Sequence, residues 1–461
     1  MFDSHAHLST EFFGKEVDAV IARAVDAGVS GIVTVGSGAD PAVMTEAVGL
    51  ARRDPHVWAA IGVHPHEADR AGESVFRSLR ELLSEPRVVA LGEVGLDFHY
   101  DLSARDRQRE VFERQVAMAA EVGKPLVIHC REAHAEVLKI LAGARLPERP
   151  GVIHCFTGDL ETARKYIALG FFVSIPGVVT FRNAGALREA VERLPAERLL
   201  AETDSPYLAP VPVRGRRNEP AFLRHTIEAI ARLKRLSALD IARITEVNAR
   251  RLFGIETEEV LEPRWTYPIR DSLYLNLTNR CTLHCTFCGK FRDFVVKGHN
   301  LRIGRDPGVE EVWAAIQSAD PTRYREVVFC GYGEPLLRPD VVETLARRLR
   351  EAGVKWIRIN TDGLANLVHG EDVLARLAGL VDELSVSLNA PDAATYARYC
   401  RSRYGEDAFR AVLEFLNSAR ERIPVVTATV VALPGLDIEA CRRLAERIGV
   451  RFRVRPLDDL G

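Results

Sequence analysis

Short apolar, β-branched runs recur from residue 1 to about residue 210, each followed by an amphipathic helical stretch. They fall at Met1–Leu8, Gly31–Val35, Trp58–His64, Val88–Asp97, Leu126–His129, Val152–Phe156, Phe171–Ile175 and Leu199–Thr203. Eight buried strands alternating with helices predict a parallel α/β architecture, and that count predicts a closed (β/α)8 barrel. Helical connectors such as Arg109–Ala120 carry apolar residues at i, i+3/4 spacing, with Gly123 and Pro125 ending the segment.

One barrel does not use up the chain. Its 461 residues predict two or three domains. The net charge of −2 excludes a global field that gathers nucleic acid, so such a partner needs a local basic patch. No run of 18 apolar residues occurs, which predicts no membrane-spanning helix. Asp3, His5 and His7 interrupt any apolar leader. The eight cysteines are scattered apart from one triplet, which fits a reducing cytoplasm.

Barrel enzymes place their chemistry where strands end. Here His5 and His7 share one side of strand one by period two. His64 ends strand three, Glu93 lies on strand four and His129 ends strand five. His154 lies toward the end of strand six, and Asp204 follows strand eight. A single histidine at a strand end is most simply a hydrogen-bonded core residue. Such residues on six strands point instead to divalent metals held by imidazole and carboxylate, with a shared carboxylate able to bridge two ions.

The runs Asp3-Ser-His-Ala-His7, Gly62-Val-His-Pro-His66, Gly92-Glu-Val-Gly-Leu-Asp97, His129-Cys-Arg-Glu-Ala133, His154-Cys-Phe-Thr-Gly158 and Glu202-Thr-Asp-Ser-Pro-Tyr-Leu208 resemble the TatD family of metal-dependent deoxyribonucleases, over residues 1–255. The resemblance implies His5, His7, Glu93 and Asp204 around one metal, and Glu93, His129 and His154 around the other. Imidazole and carboxylate donors suit Mg, Mn, Zn or Ni as the ions. Asp204 would orient or deprotonate the attacking water, and His64 and Arg131 would face the scissile phosphate. The loop Arg214-Gly-Arg-Arg217 reads equally as a phosphate contact or as a solvated loop. Cys130 and Cys155 each follow a ligand histidine, and period two turns them toward core packing.

Residues from about 221 to 254 read as helical, ending at Gly254 in the manner of a C-terminal cap. An acidic, proline-bearing stretch at 256–269 reads as a linker. Strands then recur at Leu273–Leu277, Glu326–Cys330, Trp356–Asn360, Glu383–Leu388, Val425–Ala432 and Arg451–Val454, with helices such as Val341–Ala352 and Ala408–Arg422 between them. Six βα units across 270–461 predict a partial (β/α)6 barrel.

Cys281, Cys285 and Cys288 follow the first of these strands. Three thiolates at CxxxCxxC spacing leave a [4Fe–4S] cluster one protein ligand short. Zinc held with His284 is the rival reading, but zinc sites usually join a C-x2-C pair to a distant second pair. Together with Gly331-Tyr-Gly-Glu-Pro335 after the next strand, the triplet resembles the radical S-adenosylmethionine enzymes.

This second resemblance implies a [4Fe–4S] cluster on the three cysteines, with S-adenosylmethionine on the open iron. Gly331, Gly333 and Glu334 would meet the methionyl amine, Phe287 would sit by adenine, and Ser387 and Asn389 would reach the ribose. The implied chemistry is reductive cleavage to a 5′-deoxyadenosyl radical, fed by a reductant such as flavodoxin or ferredoxin. Asn360 and Asp362 read equally as contacts to that site or as turn chemistry. Strand five lacks a clear copy of the apolar–glycine pattern that meets adenine in the family. Cys330, Cys400 and Cys441 are too dispersed for a second cluster.

Taken whole, the chain resembles the TatD-associated radical SAM proteins. The expected activity is two-metal hydrolysis of DNA or another phosphodiester, beside radical chemistry. Two other readings stand for the first half: hydrolysis of an ester, as in a D-aminoacyl-tRNA deacylase, or a binding module that presents substrate to the radical domain.

Overall fold

The computed structural model describes residues 1–255, 262–291 and 293–457. They form two compact units, Met1–Val260 and Leu261–Gly461.

In the first unit eight parallel strands pair in chain order: β1 (Phe2–Ala6), β2 (Gly31–Ser37), β3 (Val57–Gly62), β4 (Val88–Asp97), β5 (Leu126–Arg131), β6 (Gly151–Ile153), β7 (Phe172–Ile175) and β8 (Leu199–Ala201). A parallel bridge between Ala6 and Ser205 brings the two ends of the sheet together. The backbone amide of His7 donates to the Ser205 carbonyl at 2.7 Å, and that of Asp204 to the His5 carbonyl at 2.9 Å. The expected (β/α)8 architecture is borne out. Strands β6 and β8 stop short of their expected ends. Cys155 and Asp204, at φ 45° and 55°, turn the backbone out of the extended region there.

Two apolar layers hold this unit. Helices pack on the outer face of the strands through residues such as Val20, Met44, Leu79, Phe112 and Ile227. A second cluster joins Phe2, Val35, Ala60, Ala90, Val127, Val152 and Leu200 to Leu252 and Phe253 of the helix Ala238–Phe253. That helix starts on a Ser237–Asp240 capping box and ends on Gly254 at φ 65°, the left-handed cap the sequence suggested.

In the second unit β9 (Thr266–Ile269) runs antiparallel to β10 (Ser272–Leu275). A small ribbon, β11 (Val295–Val296) with β12 (His299–Asn300), follows. The main sheet continues in parallel through β13 (Glu326–Phe329), β14 (Ile357–Thr361), β15 (Glu383–Ser387), β16 (Val425–Val431) and β17 (Arg451–Arg455). Strand β9 corrects the expected linker at 256–269, of which 256–261 lie outside the described residues. It forms because Tyr267, 2% exposed, stacks on Tyr274 with ring centroids 5.3 Å apart. Pro268 is tolerated because β9 is an edge strand, where a missing amide hydrogen bond costs little.

Alternate residues of the parallel strands, including Leu275, Phe329, Ile359, Val386 and Ala428, pack against Leu345 and Phe415 from the covering helices. The intervening positions Tyr274, Cys330, Asn360, Ser385 and Thr427 leave the other face of the sheet mostly polar. The C-terminal ends of these strands feed the loops that carry the cysteines and glycines.

Candidate metal centre and cysteine loop

Glu93 is the hub of the first unit. It lies on β4, 3% exposed, and its two carboxylate oxygens face different partners. Glu93 Oε2 lies 3.6 Å from His5 Nε2 and 3.7 Å from His7 Nε2. Glu93 Oε1 lies 2.8 Å from His129 Nδ1, 2.8 Å from His154 Nε2 and 3.4 Å from His64 Nε2. Asp204 Oδ1 lies 3.7 Å from His5 Nε2 and 3.5 Å from His7 Nε2. Two groups of ligand atoms therefore share Glu93: His5, His7 and Glu93, and Glu93, His129 and His154, each within 4.8 Å. Paired imidazoles on either side of one carboxylate suit two divalent ions.

The electrostatics favour cations there. Burial alone would raise the Glu93 carboxyl, but the neighbouring His154 and His64 imidazoles and the hydrogen bond from His129 hold it well below the usual range. Burial and the neighbouring His154 push the His5 imidazole well down, which leaves a neutral nitrogen. Burial lowers His64 to about 4, against the pull of Glu93.

Several groups that support this cluster carried no assigned role in the sequence reading. Asp97, fully buried, has Oδ2 3.0 Å from His129 Nε2 and 2.9 Å from His66 Nε2. Its Oδ1 accepts from the amides of His99 and Tyr100 at 3.0 and 2.9 Å. Glu202, also fully buried, lies 3.7 Å from His154 Nδ1 and accepts the Cys155 amide at 2.5 Å. Asp3 accepts from the Thr203 amide and hydroxyl at 2.9 and 2.6 Å, tying β1 to the segment that holds Asp204. Asp97 and Glu202 stand inside quoted motifs, and their spacing from Glu93 and Asp204 was the available signal.

Other expected residues lie further out. Arg131 is exposed at the end of β5, its guanidinium 4.6 Å over the Tyr100 ring. In the Arg214–Arg217 loop, Arg217 pairs with Glu16 and Arg214 covers Phe181 at 4.2 Å. Cys130 packs with His134 and Tyr166. Cys155 is half-buried, and the carboxylates of Asp204, Glu202 and Glu93 join burial in pushing its thiol up, so it borders the cluster more closely than core packing required.

In the second unit the cysteine loop is pinned to the end of the helix Ala393–Cys400. The His284 amide donates to the Cys400 carbonyl at 3.0 Å and the Thr286 amide to the Tyr399 carbonyl at 2.9 Å. Cys400, whose carbonyl takes the His284 amide, is itself buried. The His284 ring is exposed and stacks on Phe291 at 4.1 Å. Cys281, Cys285 and Cys288 are free and half-buried, and three such thiols fit a [4Fe–4S] cluster that keeps one iron open.

Gly331 and Gly333 let the chain pass close to the segment that leads into Cys281. A Cβ on Gly333 would fall 2.1 Å from the Thr278 carbonyl oxygen, and one on Gly331 2.4 Å from Asn276 Oδ1. Glu334, 3% exposed, already accepts three protein donors: the Leu336 amide and Thr361 hydroxyl at 2.9 Å each, and the Asp362 amide at 2.6 Å. Asp362 accepts the Thr282 hydroxyl and lies 3.9 Å from Cys281 Sγ. Asn360 is held by Arg358 at 2.7 Å and donates to Cys330 Sγ at 3.2 Å. Ser387 is half-buried at the end of β15. Asn389 is buried at φ 51° and accepts the Val431 amide at 3.3 Å. Phe287 packs against the apolar layer.

Residues 2–254 match the model of the TatD-related DNase family. The chain belongs to that family. Residues 275–448 match the radical SAM superfamily. The TatD-related part is similar to the uncharacterized metal-dependent hydrolase YabD of Bacillus subtilis, 43% identical over 255 residues, covering 55% of this chain and 99% of YabD. It is likewise similar to the 3'-5' ssDNA/RNA exonuclease TatD of Erwinia tasmaniensis, 40% identical over 261 residues, covering 55% of this chain and 100% of that relative. Among solved structures, the TatD homologue YjjV of Escherichia coli aligns with a TM-score of 0.53 at 28% identity, covering 56% of this chain and 98% of YjjV. The protein is thus an enzyme with a TatD-type metal-dependent hydrolase domain and a radical SAM domain. Among the described residues no helix is long and apolar enough to cross a membrane.

Proposed function

We propose that the TatD-type domain is a two-metal phosphodiesterase that trims nucleic-acid ends. The observation that carries this reading is the division of Glu93 between two imidazole pairs. Divalent ions held there supply Lewis acidity to the phosphate and lower the pKa of the attacking water. Glu93 would hold both ions, with His5 and His7 as the further ligands of one and His129 and His154 of the other. Asp204 Oδ1, 3.5 Å from His7 Nε2, takes the proton from water. His64 and Arg131 face the phosphate. The exonuclease named among the relatives supports this substrate class.

The second domain, in this reading, cleaves S-adenosylmethionine reductively. Cys281, Cys285 and Cys288 would hold a [4Fe–4S] cluster, which would supply the electron received from a flavodoxin- or ferredoxin-type donor. Gly331 and Gly333 bring their loop against the segment leading into the cysteines, and Glu334 and Asp362 form a buried acidic floor beneath Cys281. A reducing cytoplasm suits such a cluster.

Full-length protein supplied with Mg2+ or Mn2+ should shorten oligonucleotides, and Glu93→Ala should slow it by orders of magnitude. Equal rates would refute the bridging role, and hydrolysis of aminoacyl esters without any DNA cleavage would replace the nuclease reading. Anaerobic, dithionite-reduced protein should release 5′-deoxyadenosine from S-adenosylmethionine. Stoichiometric zinc, no iron uptake and no 5′-deoxyadenosine would remove the radical reading.

A further inference from the structure

Beside the cysteine loop lies a cationic surface that nothing above uses. From Ser272 to Phe291 the chain holds no Asp or Glu, and from Ala393 to Gly405 it again holds none. These two segments meet where the His284 and Thr286 amides donate to the Cys400 and Tyr399 carbonyls. The second segment brings Arg398, Arg401 and Arg403, all exposed, and the first brings Lys290, two residues past Cys288. Among the described residues none of these four cations forms an ion pair with a carboxylate. Other arginines of this unit do, as Arg348 pairs with Glu310 and Arg410 with Asp407.

Two of the arginines are held in place without being neutralised. Arg398 donates to the Tyr399 hydroxyl at 2.5 Å, its guanidinium 4.4 Å from that ring. Arg403 donates to the Tyr404 hydroxyl at 2.6 Å and lies 4.8 Å from that ring. Both tyrosines pack against the apolar layer, which anchors the arginines to the core. A hydroxyl partner fixes a guanidinium and leaves its charge uncompensated. Asp392, the acid just before this helix, is engaged with the Thr395 amide and hydroxyl at 2.8 and 2.9 Å. A cation near a helix C-terminus complements the helix dipole, which accounts for Arg398 in the last turn but not for Arg403 beyond it. The cysteine loop also exposes Phe291, 49% open to solvent, with its amide on the Cys288 carbonyl at 3.3 Å and its ring 5.2 Å from Lys290 Nζ.

Fixed cations with an exposed aromatic ring are complementary to a protein that presents carboxylates around an apolar edge. On a loop of three cluster cysteines, the partner that this surface suits is one that delivers an electron. An exposed ring matches the flat, apolar edge of a flavin, which favours a flavodoxin over a ferredoxin. We infer that the Arg398–Arg403 segment and the Lys290–Phe291 turn form the docking surface of an acidic flavodoxin-type carrier. The step moves one electron: the reduced flavin loses it, the cluster on the three cysteines gains it, and no bond forms or breaks. This inference rests on the radical reading above.

The test uses full-length protein reconstituted anaerobically with iron and sulfide, and a bacterial flavodoxin as the probe. Calorimetry should show binding that weakens steeply between about 0.05 M and about 0.5 M NaCl. Arg398→Glu with Arg403→Glu should weaken it about 10- to 30-fold at low salt, with the gap narrowing at high salt. Arg398→Gln with Arg403→Gln should weaken it about 3- to 5-fold. Arg398→Lys with Arg403→Lys should bind like the parent, because the charge is kept. Iron content and dithionite-driven release of 5′-deoxyadenosine should stay parent-like in each pair, which separates docking from folding. Salt-independent binding, parent-like affinity in the glutamate and glutamine pairs, or a ferredoxin bound in place of flavodoxin overturns the docking surface while the radical reading stands. So does a parent that releases 5′-deoxyadenosine with dithionite and binds no flavodoxin. A parent that takes up no iron and forms no 5′-deoxyadenosine overturns the radical reading and this inference with it.

Discussion

Asp97 and His129 form a carboxylate–imidazole pair with a direction. Asp97 Oδ2 lies 3.0 Å from His129 Nε2, while the opposite ring nitrogen, Nδ1, lies 2.8 Å from Glu93. With a metal bound, a proton on Nε2, held by Asp97, would free the Nδ1 lone pair beside Glu93 for the ion. Such pairs fix the tautomer of a metal-binding histidine and orient its ring.

Asp97→Asn should therefore weaken metal binding by about 10- to 100-fold. Calorimetric titration of metal-free protein with Mn2+ measures this without reference to turnover. A variant that binds Mn2+ as tightly as the parent would show that His129 needs no outer partner.

Gly333→Ala should damage the second domain. The new Cβ meets a backbone carbonyl at 2.1 Å, and a backbone atom yields less readily than a side-chain tip. We expect a loss of about 2–4 kcal/mol in urea unfolding and reduced iron uptake on anaerobic reconstitution. Parent-like iron content together with a parent-like midpoint would show that the loop accommodates the methyl group.

Glu246 links the barrel's closing helix to its first strands, and its contribution depends on pH. Burial would raise its carboxyl, but the Met1 ammonium, the Ser30 hydroxyl at 2.6 Å and Arg250 hold it below the ordinary value. A depressed carboxyl stabilises the fold above its unfolded pKa and loses that contribution as pH falls through its folded pKa. Glu246→Gln should cost about 1–3 kcal/mol near pH 7. The gap between variant and parent should close progressively below about pH 4.5. A gap that stays constant from pH 7 to pH 3 would show that the lost interaction is not ionic.

Much of this was written in periodicity. Period-two alternation and helical spacing are local, so the eight-stranded barrel and the partial barrel after it could be read directly. His5, His7, Glu93, His129, His154 and Asp204 were nameable because strand ends are where a barrel exposes functional groups. Strand β9 was hidden because Pro263 and Pro268 mimic a linker, and only pairing with β10 reveals it.

What the sequence by itself determined is the set of donors and the order of the strands that carry them. What the tertiary structure decided is which atom faces which. The split of Glu93 between two imidazole pairs, the hold of Asp97 on His129 and the pinning of the His284 amide on the Cys400 carbonyl all join residues far apart in the chain. Their distances follow from barrel closure and side-chain packing, and no spacing along the sequence encodes them.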